Sequence, residues 1–176
     1  MSEIRCEAGK WKLIEEEATL PDGRVAKKVI AHRPDSVHII AHTSPQSILL
    51  LREYRPFLAE WVWMLPSGWM EEGEKPEAAA LRELREETKK GAKELRSWIS
   101  CRYAESIQSI QHIFIATDLY DAPLQGDPEE LIEVHEVPLV QAVTDVLNDK
   151  YAQHTITAYA LLRYGIEKGI APKSGA

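Results

Sequence analysis

Glu83, Glu86 and Glu87 stand at i, i+3 and i+4 within the stretch from Pro76 to Lys90. On a helix that spacing projects all three carboxylates from one face. Like charges so placed repel each other, and the cluster makes sense only with a cation among them. Hard divalent ions such as Mg²⁺ take oxygen ligands, which grouped carboxylates supply. Arg82, next to the cluster, can orient a carboxylate through a bidentate contact. The loop from Gly68 to Gly73 enters this stretch and can bring backbone groups close to a metal or a phosphate. A helix rich in Glu, Arg and Ala is by itself more often a solvated face than a site. Gly68, Glu74 and Arg82, in fixed relation to the three glutamates, weigh against that bland reading.

The elements that would position these groups can be read from the patterning. Trp11–Leu20 and Arg24–His32 flank Pro21-Asp22-Gly23, a turn signal, and together read as a β-hairpin. Val37, Ile39 and Ala41 alternate with polar neighbours, and Ile48–Leu51 follows as a more deeply buried strand. Further strands are expected at Leu95–Tyr103, Gln111–Leu119 and Ile132–Val137. Three segments carry helical periodicity. Pro76–Lys90 has proline at its first turn; Leu139–Leu147 repeats apolar residues at i, i+3, i+4 and i+7; Gln153–Tyr164 stops at Gly165. Interleaved in this way, they predict an α/β sandwich with a mixed sheet. Residues 1–35 read as a separate small β-element, 36–170 as the main domain and 171–176 as a disordered tail.

Composition sets outer limits. The chain has 176 residues, 44% of them hydrophobic and 28% charged, with a net charge of −7. No apolar run approaches the roughly 18–20 residues of a membrane helix, and the N-terminus lacks a signal-peptide core. Cys6 and Cys101 have no metal-like spacing, so a reducing cytoplasm is expected. The negative charge argues against a nucleic-acid-coating surface but not against a small anionic substrate bound by local cations.

The stretch from Gly68 to Glu87 resembles the Nudix signature: Gly, five residues, Glu, seven residues, Arg-Glu-apolar-any-Glu-Glu, any residue, Gly, apolar. Gly68, Glu74, Arg82, Glu83, Leu84, Glu86 and Glu87 match; Lys89 and Lys90 stand where the signature has its final glycine and apolar residue. Gly91 follows two residues late, and the sequence predicts that the helix runs on and caps there. The resemblance implies a metal-dependent hydrolase of nucleoside diphosphates linked to another moiety, with Mg²⁺ as cofactor and Mn²⁺ as a substitute. Carried over, Glu83 and Glu87 are the main metal ligands and Glu86 a further ligand or base. The Ser67 carbonyl completes the shell, while Glu74 and Arg82 form an ion pair that positions the loop.

Most of residues 10–165 is similar to the ADP-ribose and nucleotide-sugar pyrophosphatase branch of that family. Leu51-Arg52-Glu53-Tyr54-Arg55 resembles its Arg-Gln-Tyr-Arg strand, and Leu65-Pro66-Ser67-Gly68 its Glu-Leu-Pro-Ala-Gly entry, with Met64 in place of the glutamate. Asp127–Val134 resembles its acidic loop, where Glu130, and after it Glu129, would bind metal or act as base. Arg52 and Arg55 would bind phosphates or stack on the base. Among Trp61, Trp63 and Trp69, Trp63 is the substrate-binding candidate and the others could equally be anchors of packing. Arg102–Ser109 lacks the branch's Pro-Gly-rich loop. His112 reads as a core histidine, and His135 and His154 carry no constellation. The branch's N-terminal exchange predicts a homodimer, because an isolated hairpin is marginal. The expected function is hydrolysis of ADP-ribose or a related nucleotide sugar to a nucleoside monophosphate and a sugar phosphate. A non-catalytic nucleotide-binding or regulatory module competes with it. Decapping would want a basic RNA path, and isomerase chemistry a site cysteine, for which Cys101 is a distant candidate.

Overall fold

The central strands carry apolar residues at both parities. Val37, Ile39 and Leu49 face one way, while Ile40, Ile48 and Leu50 face the other, as the two-residue pleat requires. Strands of this kind must be covered on both faces. The computed structural model describes residues 3–148, 150, 151 and 153–170. Its strands and helices run in the order β1 (Glu3–Ala8), β2 (Trp11–Thr19), β3 (Val25–His32), β4 (Ser36–Ser44), β5 (Ser47–Arg55), β6 (Glu60–Met64), β7 (Ser67–Trp69), α1 (Pro76–Thr88), β8 (Lys90–Ala104), β9 (Ile107–Asp121), β10 (Ile132–Pro138), α2 (Leu139–Val146) and α3 (Thr155–Glu167). The tail expected at 171–176 lies outside the described residues.

Helix α1 lays Ala79, Ala80 and Leu84 on the face of Val37, Ile39, Leu49 and Phe114. On the opposite face, α2 and α3 bring Leu139, Val143, Ile156, Leu161 and Tyr164 onto Ile40, Ile48, Leu50 and Ile113. The result is the expected α/β sandwich. Its sheet is mixed: the path runs β1-β2-β3-β9-β4-β5-β10, with β6 on β5, β7 on β4 and β8 on β9. Strand β9 lies parallel to β3 and β4, and the remaining pairs are antiparallel. Among the described residues, strands β1–β3 join the ladder of the main sheet at Ala31 opposite Ile107 and His32 opposite Gln108. Among the described residues, no helix is long and apolar enough to cross a membrane.

Two helix ends differ from the sequence expectation. Helix α1 does not run on to cap at Gly91. It ends at Thr88, and Lys89 itself takes the left-handed conformation, with φ 61° and ψ 15°, its N–H donating to the Arg85 carbonyl. A non-glycine residue there costs roughly 1–2 kcal/mol. The Lys89 ammonium offsets this by donating to the carbonyls of Glu86 (2.7 Å) and Leu124 (2.8 Å), which ties the helix end to the loop beyond β9. Gly91 instead lies in β8, opposite Tyr120. Helix α3 does not stop at Gly165 either. A Cβ at that position would come within 2.7 Å of a Val143 methyl, so this glycine lets α2 and α3 approach while the helix continues to Glu167. The short strands β6 and β7 were not anticipated from the pattern.

The cap yields a paired expectation. Lys89→Gly should change unfolding free energy by less than about 1 kcal/mol, since relief of the backbone offsets the lost bonds. Lys89→Ala keeps the backbone cost without the bonds and should lose roughly 1–2 kcal/mol. Denaturant unfolding followed by circular dichroism separates the two. Equal stability of the variants would remove the lysine's capping role.

Candidate active site

The turn Leu65-Pro66-Ser67-Gly68 carries the chain from β6 into β7, where Ser67 pairs with His38 and Gly68 with Val37. That pairing presses the turn against α1. A Cβ on Gly68 would collide with the Glu83 carboxylate, so glycine here is a requirement of space. The Ser67 N–H donates to Glu87 Oε2 at 2.8 Å. Arg82 then gathers the remaining acids. Its Nε and Nη2 grip both oxygens of Glu74 at 3.0 and 2.9 Å. Nη1 donates to Glu83 Oε1 at 2.7 Å and Glu86 Oε2 at 3.1 Å, and Nη2 also reaches the Trp69 carbonyl at 3.1 Å. The Glu74–Arg82 pair and the three-glutamate face predicted from the sequence are thus brought together.

These groups form one wall of a cleft of about 530 Å³. Glu53 and Glu130 join the wall, with Arg55 and Asp127 beside them. Burial holds the Glu87 carboxyl well above the usual carboxylate range, and the fields of Glu83, Glu130 and Glu53 add to the shift. Glu83 is also raised, by burial first, although Arg82 opposes the shift. Glu130 is raised by burial and by Asp127, and Glu53 by burial against the pull of Arg55. Glu74 goes the other way, lowered by its bonds to Arg82.

A wall of desolvated, mutually repelling oxygens is the donor set that a hard divalent cation takes. The residues therefore fit such an ion, with Glu83, Glu86, Glu87, Glu130 and the Ser67 carbonyl able to hold it. Among the described residues, no three His, Cys, Asp or Glu side chains converge at ligating distance; the Arg82 guanidinium lies between Glu83 and Glu86 instead.

Another part of the lining is cationic and aromatic. Arg33 lies 4.2 Å from the Tyr103 ring, 5.6 Å from Trp11 and 5.7 Å from Trp69. Lys10 sits 5.5 Å above Trp69. Trp11 comes from the N-terminal element and Tyr103 from β8, just before the Glu105-Ser106 turn that replaces a Pro-Gly loop. His38, His154, Ser36 and Gln111 also line the cleft. Met64 lines the cleft where the resemblance expects a glutamate, and Arg55 Nη2 contacts its sulfur at 3.4 Å.

The structure separates the other expected site residues by strand parity. Glu53 and Arg55 face the cleft, whereas Arg52 points to the other face of β5, 3.4 Å from Glu133 and over Trp61. Trp63, paired with Arg52 across the ladder, shares that face: its ring is 4.8 Å from His135 and Lys150 lies 4.3 Å above it. Neither Arg52 nor Trp63 lines the cleft. Glu129 is exposed, its N–H donating to Asp127 Oδ1, while Glu130 does line it. Cys101 packs against the α2–α3 core and not in the cleft. Glu53, Arg33, Tyr103, His38 and His154 line the cleft without having been singled out by the sequence pattern. The alternation of β5, applied from Arg55 backwards, is the signal that would have found Glu53.

The raised Glu87 carboxyl makes a pH-dependent expectation. Its folded state binds a proton more tightly than the unfolded chain does. The metal-free protein therefore loses stability as pH rises above the ordinary glutamate value of about 4.3 toward the folded value. Glu87→Gln removes that penalty and should stabilise the metal-free protein at pH 7 by roughly 1–3 kcal/mol, with the gain shrinking as pH falls to about 4.3. Thermal unfolding in chelator across that range reads it. A variant less stable than wild type at pH 7 would contradict the assigned burial cost.

With this geometry in place, comparison with known proteins is direct. The NUDIX domain pattern matches residues 32–161. An ADP-ribose pyrophosphatase of Bacillus subtilis (strain 168) is 33% identical over 150 residues, covering 83% of this chain and 80% of the relative. A methanol dehydrogenase activator of Bacillus methanolicus is 29% identical over 156 residues, covering 86% and 84%. A crystal structure titled ADP compounds hydrolase shares the fold, with a TM-score of 0.77 at 24% identity, covering 97% of this chain and 95% of that one. The signature helix, the acidic wall and these similarities agree: the chain belongs to the Nudix family and is one of its pyrophosphohydrolases.

Proposed function

We propose that this protein hydrolyses the diphosphate bond of ADP-ribose or a related nucleoside-diphosphate sugar, releasing a nucleoside monophosphate and a sugar phosphate, with Mg²⁺ as cofactor and Mn²⁺ able to replace it. The observation that carries this reading is the polarity of the cleft. Its lining joins a wall of desolvated carboxylates to Arg33, Lys10 and the rings of Trp69 and Tyr103.

In this reading Glu83 and Glu87, with the Ser67 carbonyl, hold the metal, and Glu86 is a further ligand or base. When bound, Mg²⁺ neutralises the diphosphate and makes water a better nucleophile. Arg55 binds a phosphate from the cleft side of β5. Glu130, with its carboxyl raised by burial and Asp127, is placed to take the proton of the attacking water as a phosphorus–oxygen bond breaks. Glu129, exposed beside it, is the weaker candidate. The Glu74–Arg82 pair fixes the turn that carries Ser67.

The protein should release AMP from ADP-ribose or an ADP-sugar in the presence of Mg²⁺, resolved by chromatography against UDP- and GDP-sugars, dinucleotides and triphosphates. Glu83→Gln should lower kcat by at least 10²–10³-fold, a scale typical of losing a group that acts in the transition state, with the fold retained. Near wild-type turnover of that variant at saturating metal would remove Glu83 from the ligand set. One relative favours a second reading, a regulatory module on the same fold: the chain is similar to a methanol dehydrogenase activator. Silence across the substrate panel with both metals would transfer the assignment to that reading.

We also infer that residues 1–35 dimerise the chain, leaving 36–170 as the catalytic domain. Ile4, Leu13, Val25 and Val29 are exposed on β1–β3, and such a thin sheet is marginal alone. A solution mass near twice 19.9 kDa is expected, and equilibrium sedimentation checks it; a monomer would remove the inference. The two cysteines are free, in keeping with a cytoplasmic location.

A further inference from the structure

His38 is a charged-type residue in an apolar strand, set between Val37 and Ile39. Its side chain turns toward the α2–α3 face, where Ile40 begins the core two residues later. The residue is 4% exposed and lines the cleft. Nε2 lies 3.3 Å from Ser36 Oγ. Nδ1 has no partner. A buried polar atom left unpaired costs roughly 1–3 kcal/mol and is uncommon enough to require an account.

The surroundings narrow that account. The His154 ring lies 5.8 Å from that of His38. It is fixed by Thr157, whose Oγ1 is 2.7 Å from His154 Nδ1 and also accepts the Leu65 N–H at 3.0 Å. Ser36 and Gln111, both buried and uncharged, line the cleft with them. Burial lowers the proton affinity of both imidazoles. Together the four side chains make a polar, uncharged part of the lining. With Nε2 at Ser36, the neutral ring has only Nδ1 to offer, a donor or an acceptor according to the tautomer. A hydroxyl can pair with either form, whereas a phosphate oxygen only accepts.

We propose that His38 is a specificity-determining residue whose free ring nitrogen hydrogen-bonds a hydroxyl of the sugar attached beyond the diphosphate, with His154 as the facing wall. The proposal rests on the reading of the protein as a nucleotide-sugar hydrolase. It selects, within that class, substrates whose second moiety is an uncharged polyol. ADP, which lacks the second sugar, should be indifferent to His38.

The test compares ADP-ribose as substrate with ADP as competitive inhibitor. His38→Leu should raise KM for ADP-ribose about 10-fold, the scale of one hydrogen bond, and leave Ki for ADP unchanged. His38→Asn, whose amide reaches the place of Nδ1, should restore most of the loss. Equal changes for both ligands, or no change in either, would overturn the assignment and make His38 a packing residue. If wild type hydrolyses no diphosphate-linked sugar, the function reading fails first. The same comparison is then made by calorimetry, where selective loss of ADP-ribose binding supports the subsite, and unselective loss, no loss or absent wild-type binding overturns it.

Discussion

The repulsion among desolvated carboxylates is the constraint that the rest of this structure serves. Four raised acids, Glu53, Glu83, Glu87 and Glu130, face one cleft. Arg82 is the counter-charge to Glu83 and Glu86, clamped by Glu74 so that its remaining donors point at them, and Arg55 serves Glu53 at 2.8 Å. Glycine at position 68 follows from the same crowding, since the Glu83 carboxylate fills the space that a side chain there would need. A folded protein tolerates such a wall only when function requires concentrated negative charge, and hydrolysis of a doubly charged bridge through a bound cation is chemistry of that kind.

Covering both faces of the sheet determines where the cleft lies. Helix α1 closes one face and α2 with α3 the other, which leaves the ends of β4, β5 and β9 open. There the turn into β7 delivers Ser67 to Glu87, and the N-terminal element delivers Trp11 to Arg33. The cleft thus collects groups from distant stretches of chain onto a rigid frame. Its cationic lining draws on Lys10 and Arg33, which flank strands that pair with the main sheet at Ala31 and His32.

Much of this was legible in the sequence, for identifiable reasons. The signature glutamates are local, and helix geometry fixes their shared face without tertiary information. The strands of the core alternate cleanly or are apolar at both parities. Legibility failed where two positions near in sequence fall on opposite faces. Arg52 and Arg55 read as a matched pair, yet odd and even positions of β5 cannot both look into the cleft, and Trp63 followed Arg52 across the ladder. The same parity hides Glu53, which in sequence is only another acid between arginines. Trp11, Arg33 and Tyr103 could not be grouped by any local rule, since the three come together only when β3 pairs with β9. Gly165 was misread because a glycine late in a helix signals an end by propensity, while here it is the partner of Val143.

The end of α1 shows what a signature letter stands for. The left-handed turn that closes the helix is present, with lysine performing it. A pattern of letters is thus shorthand for a pair of dihedral angles, and the angles can persist after the letter has gone. The substitution also changes the chemical character of the hinge between the acidic helix and the loop beyond β9. Glycine would leave that join to the backbone and to the Arg85 side chain. Lysine adds an amine to a junction that Arg85 also spans, so the helix end is riveted by two cationic side chains where the signature letter would leave one.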